Sequence, residues 1–209
     1  MPGRIITTDA CVSEGAEWLA AADPRFAVAL RATGPLPLRR TDGGFSALFD
    51  AIVSQQVSVA SANAIWARLN AAGLTSQSAV ANATDDMLRA CGLSRQKARY
   101  GKALAEAGIA FDVLPLLPDE TVIATLTAVP GIGRWTAEIY AMFSLGRADV
   151  FAPGDLALQE AAKIVFGLDA RPTEKQMRSM ALEWSPWQAV AARLLWAYYR
   201  VAKSREGIK

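Results

Sequence analysis

The sequence predicts an all-α fold, and two kinds of observation carry that prediction. Apolar residues recur at three- and four-residue steps through most of the chain, the spacing of one helix face. Segments of that kind are opened by Ser, Thr or Asp and closed by Gly or Pro, as helix caps and stops require. No repeat of solenoid length and no low-complexity linker interrupts the 209 residues, which is enough chain to bury a core without disulfides.

The elements follow in order. Residues 1–44 contain Pro24, Pro35 and Pro37 and predict a helix followed by an extended arm packed on the body. The remaining core, 45–209, opens with GFSALFDAIVSQQ, whose Phe45, Leu48, Phe49, Ile52 and Val53 form one apolar face. Ser58 is placed to cap VASANAIWARLNAAG, which Gly73 ends. Thr84 opens TDDMLRACG, and Ser94 opens SRQKARYGKALAEAG, which stops at Gly108. PDETVIATLTAVP is helical up to Pro130; its VIATLTAV run has strand propensity, but its length and neighbours favour helix. RWTAEIYAMFSLG, GDLALQEAAKIVFG, TEKQMRSMALEW and SPWQAVAARLLWAYYRVAK complete eight or nine helices.

Composition removes whole classes of chemistry. The chain has no histidine, so Ser-His-Asp, Cys-His and histidine-ligated zinc sites are excluded. Two cysteines, Cys11 and Cys91, cannot hold a four-thiolate metal or iron–sulfur site. The net charge is only +2, so nucleic-acid contact needs a local patch. Arg89, Arg95, Lys97, Arg99 and Lys102 supply one, with no acid between them; a solvated helix face is the alternative. The start of the chain lacks the pattern of a secretory signal, and Arg193 and Arg200 interrupt the most apolar late stretch. A cytoplasmic, nucleoid-associated monomer with no membrane contact is expected.

The segment Val129-Pro130-Gly131-Ile132-Gly133-Arg134-Trp135-Thr136-Ala137 lies between two helical patterns. Gly131 and Gly133 permit a tight turn, and the amides opening the second helix suit a phosphate, with Arg134 adding charge. A plain αα-turn is the competing reading. The whole string is similar to the helix-hairpin-helix of the DNA glycosylase superfamily. Asp149-Val150-Phe151-Ala152-Pro153-Gly154-Asp155 resembles that superfamily's loop bearing a distal acid, and Ile52-Val53-Ser54-Gln55-Gln56-Val57-Ser58 resembles its duplex-probing segment. Together with Trp184-Ser185-Pro186-Trp187 and Trp196, the likeness points to the alkylated-base branch, DNA-3-methyladenine glycosylase II.

The resemblance implies two helical lobes around an active cleft, in a compact version without the extra N-terminal sheet lobe. It implies a partner, double-stranded DNA, and a reaction, hydrolysis of the bond from a flipped-out alkylated purine to its sugar, leaving an abasic site. Asp155 is the candidate catalytic carboxylate for the developing oxocarbenium ion; it also reads as a helix N-cap, and the two roles are compatible. Asp149 is the weaker candidate, fit to pair with Arg147. Gln55 and Gln56 are candidates for filling the vacated stack or, alternatively, a polar joint between helices; where many relatives carry a leucine wedge this chain has Gln56. Trp135 and Trp196 are the candidate faces for a cationic base, Trp184 and Trp187 core or pocket edge. Tyr140 stands one residue past Ile139, a position that is often aromatic in the branch. Relatives that also nick DNA carry a lysine where Trp135 stands, so lyase chemistry is not expected. No cofactor is implied beyond a possible monovalent cation on hairpin carbonyls. A same-fold glycosylase for uracil, a mismatched or an oxidised base, and a non-catalytic hairpin protein, are the alternatives.

Overall fold

A computed structural model describes residues 3–206. Among them are twelve α-helices and two short 3-10 turns, and no β-strand. In chain order the helices are α1 (Asp9–Ala22), α2 (Pro24–Thr33), α3 (Phe45–Ser54), α4 (Val59–Ala71), α5 (Gln77–Asn82) and α6 (Asp85–Ala90). They continue as α7 (Arg95–Glu106), α8 (Asp119–Thr127), α9 (Arg134–Phe143), α10 (Leu156–Phe166), α11 (Glu174–Ala181) and α12 (Gln188–Glu206). The all-α expectation therefore holds, with more helices than the periodicity alone marks out. The VIATLTAV run lies in and just beyond α8, as its neighbours indicated.

The chain divides into two units, one of residues 41–140 and one of residues 2–40 with 141–209. The N-terminal stretch is thus part of the second unit and forms two helices before its extended segment, where the sequence suggested one. The missed helix is α2. Asp23 closes α1, caps α2 by accepting from Arg25 N–H, and Pro24 takes the first helical position, where its missing N–H costs nothing. Read as a breaker, Pro24 conceals a helix start.

In the first unit α3 packs on α4 and α7. Phe49, fully buried, meets Phe45 and the edge of Trp66 at centroid distances of 5.5 and 5.9 Å. Gly101 of α7 lets that helix approach, because a Cβ there would stand 2.5 Å from Phe49 Cε2. Side chains of this size contribute roughly 1.5–3 kcal/mol each when fully buried. Ser58, Thr84 and Ser94 cap α4, α6 and α7, each by accepting a backbone N–H three residues on.

In the second unit α12 packs against α10, α1 and α2. Val190, Leu194 and Leu195 are buried among small residues that include Ala189, Ala191 and Ala192. Trp184 stacks on Phe166 at 5.7 Å, with Phe26 and Phe151 meeting it edge-on. Trp187 is 2% exposed, and Gly15 of α1 has no Cβ because one would come within 2.7 Å of its ring. Trp184 and Trp187 are therefore core. No described helix is long and apolar enough to cross a membrane.

Candidate functional site

Two clusters of the residues singled out by sequence form, one in each unit. The first is the hairpin. Pro130 follows α8, and Arg134 opens α9. Gly131 has φ +93°, a left-handed backbone, and a Cβ there would overlap the Tyr100 ring of α7. Ile132 is buried, plugging the turn into the unit, and its N–H donates to Val129 O at 3.1 Å. Gly133 differs: its φ is not in the left-handed region, and a Cβ would meet nothing within 4 Å. The fold therefore demands Gly131, while the bare backbone at Gly133 faces open space. Trp135, two residues on, is 47% exposed.

The supports of this turn include residues that sequence reading missed. Tyr100 carries the hairpin on its ring, and its hydroxyl bonds Gln96 Nε2 at 2.6 Å. Gln55, which ends α3, donates its Nε2–H to Gly131 O at 2.9 Å, so it braces the hairpin. Gln56 is exposed and held at φ +54°, rare for a residue with a side chain, with Val57 and Val59 exposed beside it in sequence. Tyr140 is buried and accepts Gly44 N–H at 2.8 Å, and burial, partly offset by that bond, pushes its hydroxyl pKa up.

The basic residues divide by environment. Lys97 donates to Val53 O at 2.7 Å, satisfying a carbonyl near the end of α3, and burial lowers its pKa. Arg89 lies 3.4 Å from Asp86 and Lys102 lies 3.8 Å from Asp85, so the patch that is acid-free in sequence has carboxylates in space. Arg134 pairs with Glu138 at 3.0 Å and Glu120 at 3.3 Å. Burial alone would lower its pKa, but these two carboxylates outweigh it and raise the value. Arg95 and Arg99 are exposed, and Arg99 lies over the Tyr100 ring at 5.9 Å.

The second cluster centres on Asp155. The carboxylate caps α10: Oδ1 accepts Leu158 N–H at 3.0 Å and Trp196 Nε1–H at 3.2 Å. Asp155 and Trp196 are both half-buried. The cap and the candidate catalytic acid are thus one residue, fixed by two donors. Asp149 instead accepts from Ser185 Oγ at 2.7 Å, a contact within this unit's loops.

Trp196 has further neighbours that no motif announced. Phe143 lies 5.8 Å away, centroid to centroid. Arg39, at φ +52°, places its guanidinium 5.7 Å from the Trp196 ring and 5.5 Å from that of Phe143. Arg193, 1% exposed, donates from Nε and Nη2 to Leu38 O and from Nη1 to Ala189 O. Burial, with the nearby charges of Arg39 and Arg40, brings its pKa down to about 10. Among the described residues no group of three or more His, Cys, Asp or Glu could hold a metal ion.

A turn with a bare backbone before a helix, a buried plug between two glycines, and a fixed acid opening a later helix together define a class, the helix-hairpin-helix proteins that carry a distal carboxylate. Residues 49–186 match the HhH-GPD superfamily of base excision DNA repair proteins, and the chain belongs to it.

Several relatives narrow the comparison. DNA-3-methyladenine glycosylase 1 of Schizosaccharomyces pombe is 32% identical over 168 residues, covering 76% of this chain and 73% of that protein. The putative DNA-3-methyladenine glycosylase YfjP of Bacillus subtilis is 36% identical over 113 residues, covering 52% of this chain but only 39% of that one. Among solved structures, a DNA-3-methyladenine glycosidase from Bacillus halodurans aligns with a TM-score of 0.83 at 31% identity, over 97% of this chain and 95% of its own. The S. pombe 3-methyladenine DNA glycosylase in complex with abasic DNA aligns with a TM-score of 0.74 at 27% identity, over 88% and 95%.

Proposed function

We propose that this protein is a monofunctional DNA glycosylase that removes an alkylated purine of the 3-methyladenine kind from duplex DNA and leaves an abasic site. The observation that carries the reading is Asp155, a carboxylate at a helix N-terminus fixed by Leu158 N–H and Trp196 Nε1–H. Breaking the bond between base and sugar leaves positive charge on the deoxyribose. A preorganised carboxylate stabilises that charge without having to reorient as it forms, and it can align the attacking water. The two donors hold the acid at a set angle.

The hairpin supplies the grip. At Gly133 the backbone is open to a phosphate, and the N–H groups opening α9 point at an incoming anion. Arg95 and Arg99 add exposed charge, while Lys97 and Gln55 act by bracing the elements that carry the grip. Gln56, on its constrained backbone, is the side chain offered to the stack when the target nucleotide leaves it. Trp135 stands where a Schiff-base lysine would be needed, and no lysine lies between Lys102 and Lys163, so strand cleavage by an enzyme amine is not part of the reaction.

The protein acts as a monomer on nucleoid DNA. A monovalent cation on the hairpin carbonyls is part of the proposal: Val129 O and Gly131 O each accept one N–H, and each carbonyl oxygen has a second lone pair. The reading is tested by chromatography of the bases released from methylated, deaminated and oxidised duplexes. Release of 3-methyladenine, with the strand intact until alkali is added, is expected. Binding without release of any base would make this a hairpin binding protein.

A further inference from the structure

Between α7 and the hairpin lies an apolar groove that the glycosylase reading leaves unused, wholly within the unit of residues 41–140. Ile109, Leu114 and Val129 are its buried lining, and Ala103, Ala107 and Pro130 stand around them. Its volume is about 520 Å³. That is enough for a small ligand, but such sites carry several converging polar groups. Here the only polar side chains in the lining are Glu106 and Thr125. In the adjoining loop Val113 is 41% and Leu116 69% exposed. Exposed apolar side chains continuous with a groove mark a surface for another protein.

The charge around the groove is one-sided. Residues 103–133 hold Glu106, Asp112, Asp119 and Glu120 and neither Lys nor Arg, in a chain whose net charge is +2. Two of these acids have a local reason to be there. Asp119 and Glu120 open α8, where the helix dipole favours negative charge, and Glu120 pairs with Arg134 at 3.3 Å. Glu106 and Asp112 have no such reason. Both are exposed, and among the described residues neither has an ion-pair partner. Glu106 is the last residue of α7, the end at which the dipole disfavours an acid, and it lines the groove. An apolar groove edged by free carboxylates repels the DNA backbone and attracts a cationic, amphipathic surface.

We propose that this groove is the docking site for a basic amphipathic helix of a partner protein, its apolar face laid over Ile109, Leu114 and Val129 and its Lys or Arg side chains reaching Glu106 and Asp112. Recognition of this kind seats apolar anchors one helical turn apart in a groove, and the small side chains of Ala103 and Ala107 leave room for them. The groove ends at Val129 and Pro130, where the hairpin begins, and Gly133 is not part of its lining. The partner is thus held next to the hairpin with the open backbone at Gly133 left uncovered. The inference does not depend on which base the protein removes.

The probe is a fluorescein-labelled helical peptide with Leu along one face and Lys along the other, titrated with the full chain and followed by fluorescence anisotropy. Control peptides carry Glu for Lys or Ala for Leu, and each is expected to bind about tenfold or more weakly, because each lacks one half of the complementarity. A107R puts bulk and like charge into the groove and is expected to weaken the Leu–Lys peptide about tenfold or more, E106K about three- to tenfold. E106K also removes an acid from a helix C-terminus, so its urea midpoint is expected to hold or rise, which separates lost docking from lost folding. E17K makes the same charge change on α1, in the other unit, and is expected to leave peptide binding unchanged. An equal loss in E17K, a Leu–Glu peptide bound as tightly, or indifference to both A107R and E106K overturns the inference. So does self-association of the chain alone that A107R abolishes, since a second copy then fills the groove. Base release from methylated duplex, expected alike in the parent, A107R and E106K, tests the glycosylase reading separately.

Discussion

At the scale of single residues, the hairpin glycines separate folding from binding. Gly131 has a left-handed backbone and touches Tyr100, so Gly131→Ala is expected to destabilise the fold by about 2 kcal/mol or more, read as a lower urea midpoint. Gly133 has neither constraint. Gly133→Ala should change stability by less than about 1 kcal/mol, the cost of a poorer N-cap, yet weaken duplex binding because a methyl group fills the approach to the backbone. The sequence presents the two as equivalent members of a G-x-G; only the ring of Tyr100, thirty-one positions away in the chain, tells them apart. The same holds for Gln55 and Gln56, neighbours in sequence, of which one reaches Gly131 O and the other turns outward. The cap at Asp155 was legible because it depends on local pattern, a Pro-Gly-Asp before an apolar-periodic run. The placement of Arg39 was not legible: it follows from Arg193 gripping Leu38 O, residues 155 positions apart in the chain.

At the scale of elements, caps made most helices readable. Ser58, Thr84, Ser94 and Asp155 open the helices assigned to them because a side-chain acceptor three residues before an N–H is a local arrangement. Helices α2 and α5 escaped, α5 because six residues are too few to show a period and α2 because of Pro24. Asp23→Ala should therefore cost about 1 kcal/mol by uncapping α2, measurable by thermal unfolding. Helix α3 carries an opposite case. Burial raises the pKa of Asp50, so the fold favours its protonated form. The contribution of this group is favourable in acid and is lost as pH rises from the ordinary aspartate value through the raised one. Asp50→Asn is expected to be more stable than the parent at pH 7, with the gap closing toward pH 3; a gap that is constant across this range would contradict the account.

At the scale of the whole molecule, the net charge is only +2, so the proposed function requires DNA affinity to come from a few exposed guanidinium groups and from backbone amides. The patch from Arg89 to Lys102 looks uniformly basic in sequence, but Asp85, Asp86 and Val53 O engage three of its members. The salt dependence should accordingly be shallow for a DNA-binding protein: log K against log salt with a slope of about −2 to −4 rather than the −4 to −5 of five neutralised phosphates. Arg95→Ala should reduce the magnitude of that slope by about one, while Lys97→Met should act mainly through the stability of α3. The family was readable from three ordered motifs, and the all-α class from apolar periodicity and helix caps. The division of the chain, with residues 2–40 joining 141–209, was not, because it rests on contacts of α1 and α2 with α12 that no local pattern encodes.

The account stands on Asp155 acting on the sugar as well as capping α10. Asp155→Asn retains a good capping side chain, so the fold and duplex binding should survive the change. The decisive measurement is single-turnover release of 3-methyladenine from methylated duplex by the parent and by Asp155→Asn, with DNA affinity measured in parallel. A fall of about 10²–10³-fold in rate at unchanged affinity is the result expected for loss of a charge held at the transition state. Equal rates for the two proteins would contradict it.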